Sequence, residues 1–256
     1  MPSDAVEAEI HDALKRHYVE LSHWNPAQAA VDALSLDGVR NRLSYVTSKA
    51  PPGLFSGASR VLVSGMGAGG EMLVARELGA GAVYGVEVDP FCFEICTRRF
   101  EGLKGLFPRM YDGEVLPFEA ASFDLVLSGH IIEHTRDPFA YLMEVLRVLR
   151  PGGWLFLEFP TRFHRRELHT GLPSVEWLPR PLRNAALRLA ASRFFPTRES
   201  TKVKCRTIVV TGLKQISTGG VRRWLSRTQP PAVLADIVRP APGVVRCLIR
   251  KSEAPA

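Results

Sequence analysis

Val61-Leu62-Val63-Ser64-Gly65-Met66-Gly67-Ala68-Gly69-Gly70-Glu71 is a short apolar run, then closely spaced glycines, then the start of a helical pattern. The apolar run predicts a buried strand, and the glycines predict a tight turn in which the backbone approaches a ligand closely. In an open α/β sheet such a turn, at the carboxyl end of the first strand, is where nucleotide cofactors bind. Gly65, Gly67 and Gly70 also satisfy the dinucleotide fingerprint, so the loop alone leaves a nicotinamide nucleotide and other adenosine ligands equally compatible. The next apolar run, Val83-Tyr84-Gly85-Val86-Glu87, brings a carboxylate about twenty residues after the loop, where it can bond ribose hydroxyls.

Outward from this loop the pattern alternates. Strands are expected near 60–65, 82–88, 106–111, 123–129 and 153–159, with helices near 69–79, 90–100 and 137–149. This is the pattern of βαβ units and a parallel sheet. Asp137 can cap the last of these helices, Pro138 suits its first turn, and Phe139, Leu142, Leu146 and Leu149 make its buried stripe before Pro151-Gly152-Gly153. Upstream, Val6, Ile10, Leu14, Tyr18 and Leu21 have helical spacing, with Asp4 and Glu7 placed as a capping box. A second helical stretch is expected over 26–49, ended by Pro51-Pro52-Gly53. Downstream, 160–205 breaks the pattern with many Arg and several Pro, and then Ala232–Val238 and Val244–Arg250 read as two strands around Pro240-Ala241-Pro242-Gly243. The expected division is an N-terminal helical segment (1–57), a cofactor-binding α/β core (58–160), an inserted basic lobe (161–205) and a C-terminal completion of the sheet (206–256).

Four further blocks follow the loop in order: Asp112-Gly113-Glu114-Val115-Leu116-Pro117-Phe118, Ser122-Phe123-Asp124-Leu125-Val126, Ile132-Glu133-His134 and Arg147-Val148-Leu149-Arg150-Pro151-Gly152-Gly153. Together with Gly65-Met66-Gly67-Ala68-Gly69 this set closely resembles the type 11 family of class I S-adenosylmethionine-dependent methyltransferases, over roughly residues 58–160. The resemblance implies a doubly wound, mostly parallel, seven-stranded Rossmann-like sheet, with S-adenosyl-L-methionine as cofactor. It implies that Gly65, Gly67 and Gly69 approach the methionine part of the cofactor, with Met66 against its sulfur region. Glu87 would take the ribose hydroxyls and Val88 would cover one adenine face. Asp112 would accept from the adenine amino group beside the Gly113 backbone, and Ser128 with Gly129 would line the route from sulfonium to acceptor. The chain departs from many relatives at Val63, where they carry an acid that organises the ammonium end of the cofactor.

Methyl transfer needs positioning and exclusion of water more than it needs acid–base chemistry. Where the nucleophile is poor, His130, directly after the fourth strand, is the candidate base, its neutral ring taking a proton. His134 reads as a loop-shaping residue. In the lobe, His164, Glu167 and His169 make too incomplete a set for metal, and no metal is expected. Arg162, Arg165, Arg166 and Trp177 with these histidines suit a small acceptor, saccharide-like or phosphorylated, since rings stack on sugar faces and guanidinium groups grip phosphate.

Charge supports the same division. The chain carries net +7, yet residues 1–159 hold 14 Lys and Arg against 21 Asp and Glu, whereas residues 160–256 hold 19 against 5, a balance of +14. An anionic acceptor, an anionic surface or a solvated basic face all fit that excess. Nucleic acid is the less expected partner, because no DNA- or RNA-reading motif is present. The four cysteines lack metal-like spacing and read as packing residues. No apolar run approaches the 18 or so residues of a membrane span, and the N-terminus is unlike a signal peptide, so a cytoplasmic protein is expected. A nicotinamide-dependent oxidoreductase and a non-catalytic basic binding module for nucleic acid or anionic surfaces are the competing classes.

Overall fold

The computed structural model describes residues 1–20, 25–161, 172, 175, 178–192, 194, 201–202, 205, 208–209, 214–229 and 231–253. Seven strands form one sheet: β1 (Arg60–Ser64), β2 (Ala82–Glu87), β3 (Leu106–Met110), β4 (Phe123–Gly129), β5 (Leu149–Pro160), β6 (Val233–Ala241) and β7 (Val244–Arg250). Their order is β3-β2-β1-β4-β5-β7-β6. The first five are parallel, and β7 runs antiparallel between β5 and β6. This is the doubly wound, mostly parallel fold. Pro108, which has no amide hydrogen to donate, is accommodated because β3 is an edge strand.

Alternation along the strands sorts the core into two layers. Val61, Val63, Leu125, Leu127 and Phe156 pack under α3 (Asp37–Lys49), α4 (Gly70–Glu77) and α5 (Pro90–Arg99). Leu62, Val126, Leu155 and Leu157 pack under α6 (Pro138–Val148) and a helix at Thr218–Leu225. The latter is α8, since α7 spans Arg180–Ala190. Asp137 caps α6 by accepting from the Phe139 and Ala140 amides at 2.9 and 3.1 Å, and Pro138 opens the helix. Its buried side carries Tyr141, Val145 and Val148 beside the expected Leu142 and Leu146, while Phe139 is half-buried.

Three local expectations change. The first helix, α1 (Asp4–Glu20), is entered from Ser3, whose hydroxyl accepts from Val6 N–H at 3.4 Å, so the Asp4–Glu7 capping box does not form. Glu7 is drawn away by Arg99, which is buried, donates to its carboxylate at 2.8 Å and also donates to the Ala68 and Leu34 carbonyls. A buried guanidinium needs such partners. The stretch 26–49 is two helices, α2 (Pro26–Leu34) and α3, broken at Ser35, which is extended at ψ 125°. The break follows from packing: α2 lies in the small cluster with α1, whereas α3 sits on the sheet. Finally, β5 begins at Leu149 and takes in Pro151-Gly152-Gly153, with a register irregularity opposite β4 between Phe123 and Leu125.

Candidate cofactor and acceptor site

Where β1 to β4 end, a cleft of about 630 Å³ is lined by Gly65, Glu87, Val88, Tyr111, Asp112, Gly113, His130, Ile131, His134 and their loop neighbours. That size suits a cofactor-sized ligand. Its floor is the glycine turn. Gly65 has φ +73°, and a β-carbon there would press on the end of the Ile131 side chain, so any side chain at this position is strained. A β-carbon at Gly67 would meet nothing within 4 Å, leaving that side of the backbone open.

Glu87 is 9% exposed and its carboxylate is fixed from three sides. Gly67 N–H donates to Oε2 at 3.0 Å, and Val88 and Asp89 N–H donate to Oε1 at 2.8 and 3.1 Å. The end of β2 is thereby locked to the glycine turn. Val88 is 52% exposed and supplies an apolar wall. Asp112 Oδ1 accepts from the Glu114 and Val115 amides at 2.8 and 3.1 Å, which holds its carboxyl below the usual range and orients the turn through Gly113. A buried carboxylate, an apolar wall and a polar edge thus surround one cleft, a set whose chemistry fits an adenosine ligand such as S-adenosylmethionine.

Two of the expected side chains, at Met66 and Ser128, face away from the cleft, and Gly69 packs against α5. Met66 is 4% exposed and its side chain turns into the core over Gly85, which has no side chain to exclude it, so it is not presented to the cleft. A β-carbon on Gly69 would collide with Phe100 beside Cys96, so this glycine serves the contact between the loop and α5. Ser128 is fully buried, and its hydroxyl bonds Tyr141 OH at 2.7 Å, while Tyr141 donates to Ser64 Oγ at 2.8 Å. That chain ties the ends of β1 and β4 to α6 instead of lining a route to the acceptor.

His130 is a cleft residue with φ +58°, an uncommon conformation outside glycine. Its Nε2 lies 3.1 Å from Glu158 Oε1 and its Nδ1 3.5 Å from Glu133 Oε1. Burial alone would push its pKa down, but the two carboxylates outweigh this and raise it to about 9. The expected neutral ring is therefore replaced by an imidazolium at neutral pH. Glu158 is buried, which would raise its pKa, but His130 and Arg246 together hold it below the usual range. Glu133 is fully buried and neither carboxylate oxygen has a hydrogen bond; His130 Nδ1 lies 3.5 Å and His134 Nε2 3.9 Å from its Oε1.

Sequence reasoning did not find Tyr111, Ile131, Glu158 or Arg246. The carboxyl-end rule that singled out Glu87 and Ser128 applies equally to Glu158 on β5. Arg162, His164, Arg165, Arg166, Glu167, His169 and Trp177 lie outside the described residues. Among the described residues, no group of three or more metal-ligating side chains occurs, and no helix is long and apolar enough to cross a membrane. All four cysteines are free, three of them buried.

Residues 62–157 match the family described as methyltransferase domain. The chain is 39% identical over 90 residues to phthiotriol/phenolphthiotriol dimycocerosates methyltransferase 1 of Mycobacterium ulcerans, covering 34% of this chain and 32% of that protein. It is 30% identical over 162 residues to a tRNA U34 carboxymethyltransferase of Azotobacter vinelandii, covering 61% of this chain and 49% of the relative. The chain thus spans between a third and a half of these relatives. An S-adenosylmethionine dependent methyltransferase of Mesorhizobium loti shares the fold, with TM-score 0.58 and 17% identity over 85% of this chain and 100% of that one. With the seven-stranded sheet and the strand-end cleft, residues 62–157 are similar to a methyltransferase domain and share the doubly wound fold of S-adenosylmethionine dependent methyltransferases.

Proposed function

We propose that this protein transfers the methyl group of S-adenosylmethionine to an oxygen or nitrogen of a small, saccharide-like or anionic metabolite. The observation that carries the methyltransferase reading is the Glu87 carboxylate, locked by Gly67, Val88 and Asp89 amides at the rim of a cleft of about 630 Å³. When bound, the cofactor supplies a sulfonium-activated methyl carbon, which the acceptor's lone pair attacks in line. The chain's residues orient both partners: Glu87 holds the ribose, Val88 and Asp112 place the adenine, and Ile131 covers the turn. An oxidoreductase reading leaves the blocks after residue 110 without a role.

His130 is the proposed catalytic group for an acceptor that must lose a proton. With its pKa near 9 it serves as a base only once the bridge to Glu133 and Glu158 has released its own proton. An acceptor that arrives already anionic needs no base, and the +14 balance after residue 159 favours such a molecule. β5 ends at Pro160 at the same edge of the sheet as the cleft, where acceptor choice is made in folds of this type, and the segment 161–205 that follows it in sequence is proposed as the acceptor lobe.

Incubating the full chain with methyl-labelled cofactor and a fractionated cell extract tests the reading. Label in an anionic small-molecule fraction is expected. Label in tRNA, the substrate named for one relative, would replace the acceptor class, and an absence of cofactor binding would remove the transferase itself.

A further inference from the structure

The amino-acid end of the cofactor carries both an ammonium and a carboxylate, and burying such a zwitterion requires one partner of each sign. The end of β1 supplies neither, because Val63 is apolar and fully buried among α3 and α4. Those same two helices provide an ion pair. Arg42 on α3 lies 3.2 Å from Glu71 Oε1 in the first turn of α4, directly after the glycine loop. A β-carbon built on Gly129, at the carboxyl end of β4, would stand 3.2 Å from the same Glu71 oxygen, so that carboxylate reaches the strand end beside His130. The pair is also incompletely satisfied. Arg42 Nε is buried without a hydrogen-bond partner, and burial raises the Glu71 pKa despite Arg42, with His130 and Glu158 both close enough to act on it. Buried donors are paired in the great majority of cases, so the unspent guanidinium N–H is free to take an acceptor.

We propose that Arg42 and Glu71 are the binding site for the aminocarboxylate end of S-adenosylmethionine, the guanidinium taking the carboxylate and Glu71 the ammonium. This rests on the cofactor reading above. It also explains how a chain with Val63 can hold a zwitterion: the charges come from the helices flanking the loop instead of from the strand.

Two ligands that differ only at that end separate this role from simple scaffolding. S-adenosylhomocysteine carries the zwitterion, whereas 5′-methylthioadenosine has the same adenosine and thioether without it. Titration calorimetry on the full chain should give Arg42→Met and Glu71→Gln an affinity for S-adenosylhomocysteine lower by about ten- to a hundredfold, the loss of one charge-assisted bond. Their affinity for 5′-methylthioadenosine should change less than about threefold. Arg42→Lys, which keeps the charge and the fold, should recover part of the loss for the first ligand. Equal weakening of both ligands, or no change in either, would overturn the assignment. Failure of the unaltered protein to bind either ligand would instead strike the cofactor reading.

Discussion

Two clefts of nearly equal size sit at opposite ends of the same sheet, about 630 Å³ at the carboxyl ends of the parallel strands and about 650 Å³ at their amino ends. The second is walled by the Lys49–Leu54 turn, Ser59, Asp124, Arg150, Trp154 and Arg250. Its charges are answered within the chain. Asp124 takes Arg150 at 2.7 Å and the Arg60 amide at 2.6 Å, and Arg250 pairs with Glu253. At the carboxyl end, by contrast, the Glu133 carboxylate has no hydrogen bond, His130 sits at positive φ, and the Gly67 amide is turned onto the Glu87 carboxylate. Volume therefore does not mark the site. The buried Glu133 carboxylate without a hydrogen bond beside His130 does, because a fold tolerates an unspent polar group where something else will use it.

The sharpest break of this symmetry is His130→Ala. If His130 is the base, turnover near pH 9 should fall by about 10²–10⁴ with cofactor affinity nearly unchanged. In the unaltered enzyme, activity toward a protonated acceptor should rise as pH approaches 9, the ring's pKa. A loss below tenfold would reduce the residue to a bridge. The bridge has its own signature. Because the folded pKa is raised from 6.5 to about 9, its stabilising effect is complete below pH 6.5 and is lost as pH rises through 9. The melting-temperature gap between the protein and His130→Ala should narrow over that window; a gap that widens would contradict the assignment.

Gly65→Ala should cost about 2–4 kcal/mol of cofactor affinity or stability, since the side chain meets both a positive φ and Ile131. Glu87→Ala should weaken S-adenosylmethionine binding by about 1.5–3 kcal/mol, read by calorimetry. Tyr141→Phe should lower folding stability by about 1–3 kcal/mol in a denaturant titration, because the buried Ser64 and Ser128 hydroxyls lose their shared partner. At the other end of the sheet, Arg150→Ala should leave cofactor affinity within about 0.5 kcal/mol, its exposed ion pair being worth little. A large effect there would mean that the two clefts had been assigned the wrong way round.

The same contrast explains what could be read from the chain. The strand-turn-helix at Val61–Glu71, Glu87 at the end of β2 and the Asp137–Pro138 start of α6 were legible because each depends on neighbours in sequence. The break at Ser35 was not, since it reflects which partner each half of the stretch packs against. Met66 points inward because Gly85, on another strand, makes room, and the Ser3 cap replaces Asp4 because Arg99, far along the chain, takes Glu7. His130 could be placed after β4, but its protonation depends on Glu158, on β5. Arg42 and Glu71 meet only across two helices. Local order gave the elements and the loop; which side chains face each other across elements had to come from the fold.

Calorimetric titration of the full chain with S-adenosylmethionine and, separately, NAD decides whether the carboxyl-end cleft is an S-adenosylmethionine site. Saturable binding of the first, weakened in Glu87→Ala, and none of the second is expected. Tight NAD binding, or an affinity for S-adenosylmethionine indifferent to Glu87, would contradict that assignment.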